Sequence, residues 1–317
     1  MKDLRWQDPR LRVRSDPARR AARRLLQGWW REVELGLAPG RDQDGSLRNN
    51  MLPAEAVARD RSLNFLSPEA ASYAEKRAPV VLGEAGALDE DRLWRNLLSS
   101  MPLCFNLFGR LRADPECGAR VLARATGLDV AKIEELEVEW TPAGGHPLGD
   151  RTAFDAWVSY RDSHDNRAFF AVETKYTEPF SRGVYDRPRY REVTAWPEVG
   201  FLPGAADILR AAATNQLWRN TLLAAAVRRE GGFAEGRVLV VALEDDPHVA
   251  GAMQVFRDVH EAPKTLVHVT TIEQLVAAAG QEESLSAWSE SFERRYLDLS
   301  PVSAAQREPR ARGVPHD

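Results

Sequence analysis

The chain reads as a mixed α/β fold in which a central sheet is flanked by helices. Three observations carry that reading. Amphipathic helical patterns dominate the first 130 residues, two aromatic and β-branched strands then flank a short polar turn, and helix and strand alternate through the remainder. With 317 residues and a 44% apolar composition, the chain can bury a sizeable core.

Asp16-Pro17 predicts an N-cap followed by an N1 proline, opening a helix that runs to Leu37. Leu25, Leu26, Trp29, Trp30, Val33 and Leu37 recur on it at helical spacing, with Arg19, Arg20, Arg23 and Arg24 on the early turns. Residues 38–50 read as a loop from their Gly, Pro, Asp and Asn content. Ser67-Pro68-Glu69 opens a short helix. A stronger helical pattern from Asp89 to Leu111 carries a wide apolar stripe, which Pro102 should kink. Asn96 and Asn106 sit awkwardly in that stripe, either satisfying backbone groups or facing a site. Asp114-Pro115 caps a further helix ending at Gly127, and LEVEW (136–140) is a short strand.

AFDAWVSY (153–160) and AFFAVETKY (168–176) follow as strands, with RDSHDNR as the turn between them. A long Ala/Leu-rich helix covers 204–229, and RVLVVAL (237–243) is a continuous apolar strand of the buried kind. A helix over 247–260, a strand over 265–270 and helices over 271–279 and 284–297 complete the pattern. The chain divides into a basic N-terminal helix and loop (1–50), a main domain (51–299) and a tail (300–317) expected to be disordered.

Composition excludes several classes. No window approaches 18 uninterrupted apolar residues, so no transmembrane helix is expected. The first residues lack the apolar core of a signal peptide, and a cytoplasmic location is expected. Cys104 and Cys117 are too few for a disulfide framework and lack zinc-site spacing, which leaves them as small core residues. No histidine has a partner at metal-ligand spacing; His146, just ahead of the first hairpin strand, lies nearest the chemistry. A Gly-rich Lys-Ser/Thr phosphate loop and a G-x-S-x-G elbow are both missing.

The net charge is −4, yet residues 1–31 hold ten basic and three acidic side chains. SRGVYDRPRYR (181–191) mixes four arginines with Tyr185 and Tyr190. Local basic patches on an acidic chain suit a polyanion bound at one place, whereas a solvated helix face and loop would explain either stretch alone.

The hairpin carries the sharpest signal. Lysine occurs only five times, and only Lys175 has an acid two positions before it, Glu173. Strand side chains repeat with period two, so Glu173, Lys175 and Thr177 share a face. A turn centred on His164 sets Asp155 opposite Glu173, on that same face, and a slip of one residue would break the match. The two carboxylates would then stand with Cβ atoms about 4.5–5.5 Å apart, a destabilising arrangement unless something offsets it. A divalent cation held by oxygen ligands does so, which suits Mg²⁺ or Mn²⁺. Lysine fits beside it better than arginine, because its ammonium is compact and its pKa falls readily on burial. The rival reading makes Glu173 and Lys175 a same-face ion pair on an exposed strand, with Asp155 a turn-proximal acid.

Asp155 on one strand, Glu173-Thr174-Lys175 on the next and the following helix and strand resemble the core of the PD-(D/E)XK nuclease superfamily. LWRNLLSSMPLCFNLFG (93–109), RTAFDAWVSY and FFAVETKYTE resemble more narrowly a family of bacterial restriction-endonuclease-like proteins. The resemblance covers about residues 60–245 and implies a restriction-endonuclease-like mixed sheet with extra N- and C-terminal helices. It also implies Mg²⁺- or Mn²⁺-dependent hydrolysis of DNA by an endonuclease of restriction or defence. Asp155 and Glu173 would ligate metal, Lys175 would orient or activate water, Glu90 would be the helix-borne acid and Gln216 the glutamine of the helix after the motif. Phe154 stands where the proline of the motif would be. Arg182, Tyr185, Arg187, Arg189, Arg191, Arg19 and Arg23 are the candidate DNA contacts, and symmetric cutting of a duplex would favour a homodimer. Because the fold also hosts inactive members, the rival function is a nuclease-like module that binds DNA or a protein partner.

Overall fold

The computed structural model describes residues 5–84 and 86–307. A two-stranded hairpin, β1 (Gly40–Arg41) and β2 (Leu47–Arg48), lies in the segment read as a loop. The main sheet has the order β3 (Lys132–Trp140), β4 (Phe154–Arg161), β5 (Arg167–Thr174), β6 (Glu235–Ala242) and β7 (Val267–Thr271). Its first three strands are antiparallel, and β5, β6 and β7 run parallel. The sheet is therefore mixed, as the sequence predicts.

The β4–β5 ladder runs from Arg161↔Arg167 to Ala156↔Val172, which centres the turn on His164. Asp162 fixes that turn: its Oδ1 accepts from the backbone N–H groups of His164 at 2.9 Å and Asn166 at 2.8 Å.

The helices are α1 (Ala18–Trp29), α2 (Ala54–Arg59), α3 (Pro68–Gly83), α4 (Glu90–Arg95), α5 (Ser100–Ala113), α6 (Pro115–Thr126) and α7 (Pro188–Thr194). They continue as α8 (Ala205–Leu209), α9 (Asn215–Gly231), α10 (Pro247–Val259), α11 (Pro263–Leu266), α12 (Ile272–Gly280), α13 (Ser286–Phe292) and α14 (Ser300–Arg307). On one face of the sheet Val158, Phe170, Val172 and Val241 pack in a core with Leu103 and Phe105 of α5 and Leu275 of α12. On the other, Trp157, Phe169, Val238 and Val240 pack with Leu217 and Trp218 of α9 and Phe256 of α10. Burying each such side chain stabilises the fold by roughly 1.5–3 kcal/mol, and β6, apolar on both faces, contributes to both layers.

Five expectations are corrected. Pro17, not Asp16, is the N-cap of α1; the Asp16 carboxylate instead binds Arg24 Nε at 2.6 Å, and a π turn, Trp30–Glu34, follows the helix. The helix predicted over 89–111 is two helices, broken at 96–99 rather than kinked at Pro102. Asn96 Oδ1 takes Asn50 Nδ2 at 2.7 Å and Leu98 N at 3.0 Å, and Pro102 sits in the first turn of α5, where no intrahelical donor is needed. The helix predicted over 204–229 is α8 and α9, with Thr214 Oγ1 donating to Leu209 O at 2.9 Å in the break. Residues 300–307 form α14, whose Val302 packs with Trp6 and Leu26; residues 308–317 of the expected tail lie outside the described residues. The short helix expected at Ser67 is the 16-residue α3.

Candidate active site

Asp155 and Glu173 each lie one residue beyond the last β4–β5 pair, Ala156↔Val172, so continuing the register sets them opposite each other. Asp155 Oδ2 accepts from the backbone N–H of Thr174 at 2.7 Å, which ties the two strand ends together. Lys175 follows immediately, and its N–H bonds to Val241 O of β6 at 2.8 Å. Its Nζ stands 2.5 Å from Glu173 Oε1, and both side chains are buried.

Helix α9 completes the cluster. Gln216 and Asn220 lie one turn apart and reach the same carboxylate. Gln216 Nε2 donates to Glu173 Oε1 at 2.7 Å and Asn220 Nδ2 to Oε2 at 2.6 Å. Gln216 Oε1 in turn accepts from Lys175 Nζ at 3.3 Å and from Ser181 N at 2.6 Å, which docks the following loop onto the site. The Phe180 ring lies 5.3 Å from the ammonium, a favourable cation–π separation.

The charges act on one another. Burial raises the Asp155 pKa, Glu173 raises it further, and Lys175 opposes them. Burial alone would lower the Lys175 pKa, but Glu173, Asp155 and Glu178 outweigh it and hold the pKa above its ordinary value. This corrects the expectation that burial brings the lysine down: three carboxylates keep it charged. Glu178 accepts from Ser100 N at 3.1 Å and Thr177 N at 3.0 Å. Burial pushes its pKa up, yet Lys175 and these donors leave it below the ordinary carboxylate range.

The structure thus gathers Asp155, Glu173, Lys175 and Gln216. It does not gather the rest. Glu90 is exposed in the first turn of α4 and makes no hydrogen bond or ion pair to this cluster. Arg23 is buried, with Nη1 donating to Leu297 O at 2.9 Å. Arg19 bonds Tyr176 O at 3.1 Å and pairs with Asp245 and Asp246 at 2.8 and 3.0 Å. Both arginines anchor the N-terminal helix instead of facing solvent. The segment 181–191, read as a loop, becomes helix α7 from Pro188; Arg187 bonds Gly149 O, Arg189 bonds Pro147 O and Glu192, and Arg191 pairs with Asp186 and Asp207. Arg182 is exposed and makes no hydrogen bond or ion pair among the described residues, while Tyr185 is 49% exposed with the Arg219 guanidinium 4.7 Å from its ring centroid.

His146 organises the loop into β4: Nδ1 accepts from Leu148 N at 3.2 Å and Nε2 donates to Thr152 O at 2.7 Å. Asn106 is structural, accepting from Leu66 N at 2.6 Å and donating to Asn64 O at 3.0 Å. Sequence reasoning missed Asn220 and Glu178. The former was legible as a second amide four residues after Gln216 on an apolar helix.

The fit to a divalent ion rests on free oxygen valences. Asp155 Oδ1 accepts no hydrogen bond among the described residues, and Glu173 Oε2 accepts only one, so each carboxylate keeps lone pairs for a hard cation. Among the described residues no three His, Cys, Asp or Glu side chains form a ready-made cage. No helix among them is long and apolar enough to cross a membrane.

No curated protein and no solved structure matches the chain. A family model described as PD-(D/E)XK nuclease superfamily matches residues 14–298, a wider span than the motif region and one that includes α1. With that match over nearly the whole length, on a five-stranded mixed sheet flanked by helices, the chain belongs to the PD-(D/E)XK nuclease superfamily.

Proposed function

We propose that the chain is a divalent-metal-dependent deoxyribonuclease that cuts DNA internally, in restriction or another defence role in the cytoplasm. The observation that supports it best is the meeting of Asp155, Glu173 and Lys175 at neighbouring strand ends, with Gln216 bonded to both members of the Glu173–Lys175 pair. Asp155 and Glu173 would hold Mg²⁺ or Mn²⁺. When bound, such an ion lowers the pKa of water and offsets charge on phosphoryl oxygens.

The chain's own groups do the rest. In the metal-free chain Lys175 has its pKa held above the ordinary value by its carboxylate neighbours. It orients water or phosphate by donating hydrogen bonds and stabilises negative charge at the reacting centre. Gln216 holds the ammonium and the Glu173 carboxylate in fixed relation. Arg182 and Tyr185, on the loop docked by Gln216, would meet the DNA strand beside the site.

Plasmid nicking in Mg²⁺ tests the reading, with wild type set beside Asp155→Ala and Lys175→Ala. Activity in the wild type alone supports it; equal activity in all three rejects it. Calorimetric titration of Mn²⁺ separates the enzyme from a non-catalytic DNA-binding module, which would bind DNA without regard to metal.

A further inference from the structure

A cavity of about 540 Å³ lies between the N-terminal segment and the opening turns of α1, within the size range of small-molecule sites. Its apolar wall is Val13 with Ala21, Ala22 and Leu25 of α1. Arg12 and Arg14 line it too; both are exposed, and neither side chain makes a hydrogen bond or ion pair among the described residues. Asp16, the acid of this lining, is already shared by Arg24 Nε at 2.6 Å and Arg20 Nε at 3.4 Å, so the cavity keeps an excess of positive charge.

Asn49 adds an unmet acceptor to the same lining. It is 1% exposed, and its Nδ2 donates to Trp6 O at 2.7 Å, which fixes the amide. Its Oδ1 is buried and has no hydrogen-bond partner among the described residues. Gly28, inside α1, makes room for it: a Cβ there would stand 2.6 Å from Oδ1. Glycine within a helix and an unpaired buried acceptor both cost stability, and a donor on a ligand would relieve the second cost.

We propose that this cavity binds a nucleoside monophosphate. The two free guanidinium groups take the phosphate, whose oxygens match their planar forks. The apolar wall takes the face of the base, and an exocyclic amine on the base edge donates to Asn49 Oδ1. A lipid-like anion would leave that acceptor unmet, and a sugar phosphate would set hydroxyls against Val13, Ala21, Ala22 and Leu25. The site is separate from Asp155, Glu173, Lys175 and Gln216, none of which lines it.

Calorimetric titration of deoxyadenosine monophosphate into the full chain tests this, with chelator present to keep divalent ions away. The wild type is set beside the double variant Arg12→Glu/Arg14→Glu, Ala21→Leu, which fills the wall, and Lys175→Met. The wild type should bind. The charge-reversed variant and Ala21→Leu should each bind about 10-fold or more weakly, while Lys175→Met keeps wild-type affinity. Arg12 and Arg14 are exposed and Ala21 is half-buried, so both cavity variants should keep the wild-type melting temperature. Deoxyadenosine and inorganic phosphate should each bind at least about 10-fold more weakly than the nucleotide. No uptake by the wild type overturns the proposal, as does wild-type affinity in the charge-reversed variant. Inorganic phosphate binding as tightly as the nucleotide would leave only an ion contact at exposed arginines and also overturn it. Loss of binding in Lys175→Met, with both cavity variants unaffected, would move the nucleotide to the strand-end cluster and overturn it too.

Discussion

Gln216 Nε2 donates to Glu173 Oε1 at 2.7 Å across 43 residues of chain. The same amide offers its oxygen to Lys175 Nζ and Ser181 N, so its orientation is dictated by one acceptor and two donors.

Gln216→Glu would set a carboxylate against Glu173 and remove the donor. A loss of about 10–100-fold in plasmid nicking is expected, with DNA affinity retained. Nicking rates alongside fluorescence anisotropy with a labelled duplex check it.

Lys175→Ala and Lys175→Arg should both lose about 100-fold or more in rate, because the wide guanidinium cannot occupy the narrow place between Glu173 Oε1 and Gln216 Oε1. The Lys175 pKa is raised in the folded state, so its ion pair contributes fully below the unfolded value and is lost as pH rises through the folded one. Alkaline destabilisation traceable to Lys175 should begin only above about pH 10, the ordinary lysine value. Melting curves of wild type and Lys175→Met between neutral and alkaline pH measure it.

The acids titrate the other way. Burial pushes the Glu139 pKa up to about 7, with Arg92 opposing and Glu173 adding, and burial likewise raises Asp155. Both groups hold protons in the folded state that the unfolded chain releases above about pH 4, so stability without metal falls as pH rises from there towards 7. Asp155→Asn keeps an acceptor for Thr174 N and removes the charge. It should raise the neutral-pH melting temperature in chelator by a few degrees, on the scale of about 2–4 °C per kcal/mol, and flatten the pH slope. Calorimetric scans with and without Mn²⁺ provide the measurement.

Arg182 and Arg191 make a matched pair for DNA contact. Arg182 makes no ion pair among the described residues, while Arg191 is held by Asp186 and Asp207. Arg182→Ala should lower the salt slope of duplex binding by about 0.9, and Arg191→Ala should leave it near wild type. Anisotropy titrations over a range of salt concentrations distinguish them.

The β4–β5 register was legible because period two and a short turn locked by Asp162 leave little freedom. That is why Asp155, Glu173 and Lys175 could be placed together from the sequence. Helix continuity was not legible at 96–99 or 210–214. Local propensity runs through both, and the first break is held by Asn50, 46 residues away from Asn96. The basic stripe of α1 misled for a similar reason, since whether Arg23 meets water or the carbonyl of Leu297 is decided by a segment far along the chain.

Tyr176, next to Lys175, is gripped from both ends of the polypeptide. Arg19 holds its carbonyl, Gln27 reaches its hydroxyl at 3.4 Å, and that hydroxyl donates to Tyr296 O at 2.9 Å. Assembly of the reactive centre must therefore wait for pieces more than a hundred residues apart to meet, a slow step in folding. A fragment ending after β6 would carry every residue of the Asp155–Lys175 motif and still leave the hydroxyl of Tyr176 without its acceptor, Tyr296 O.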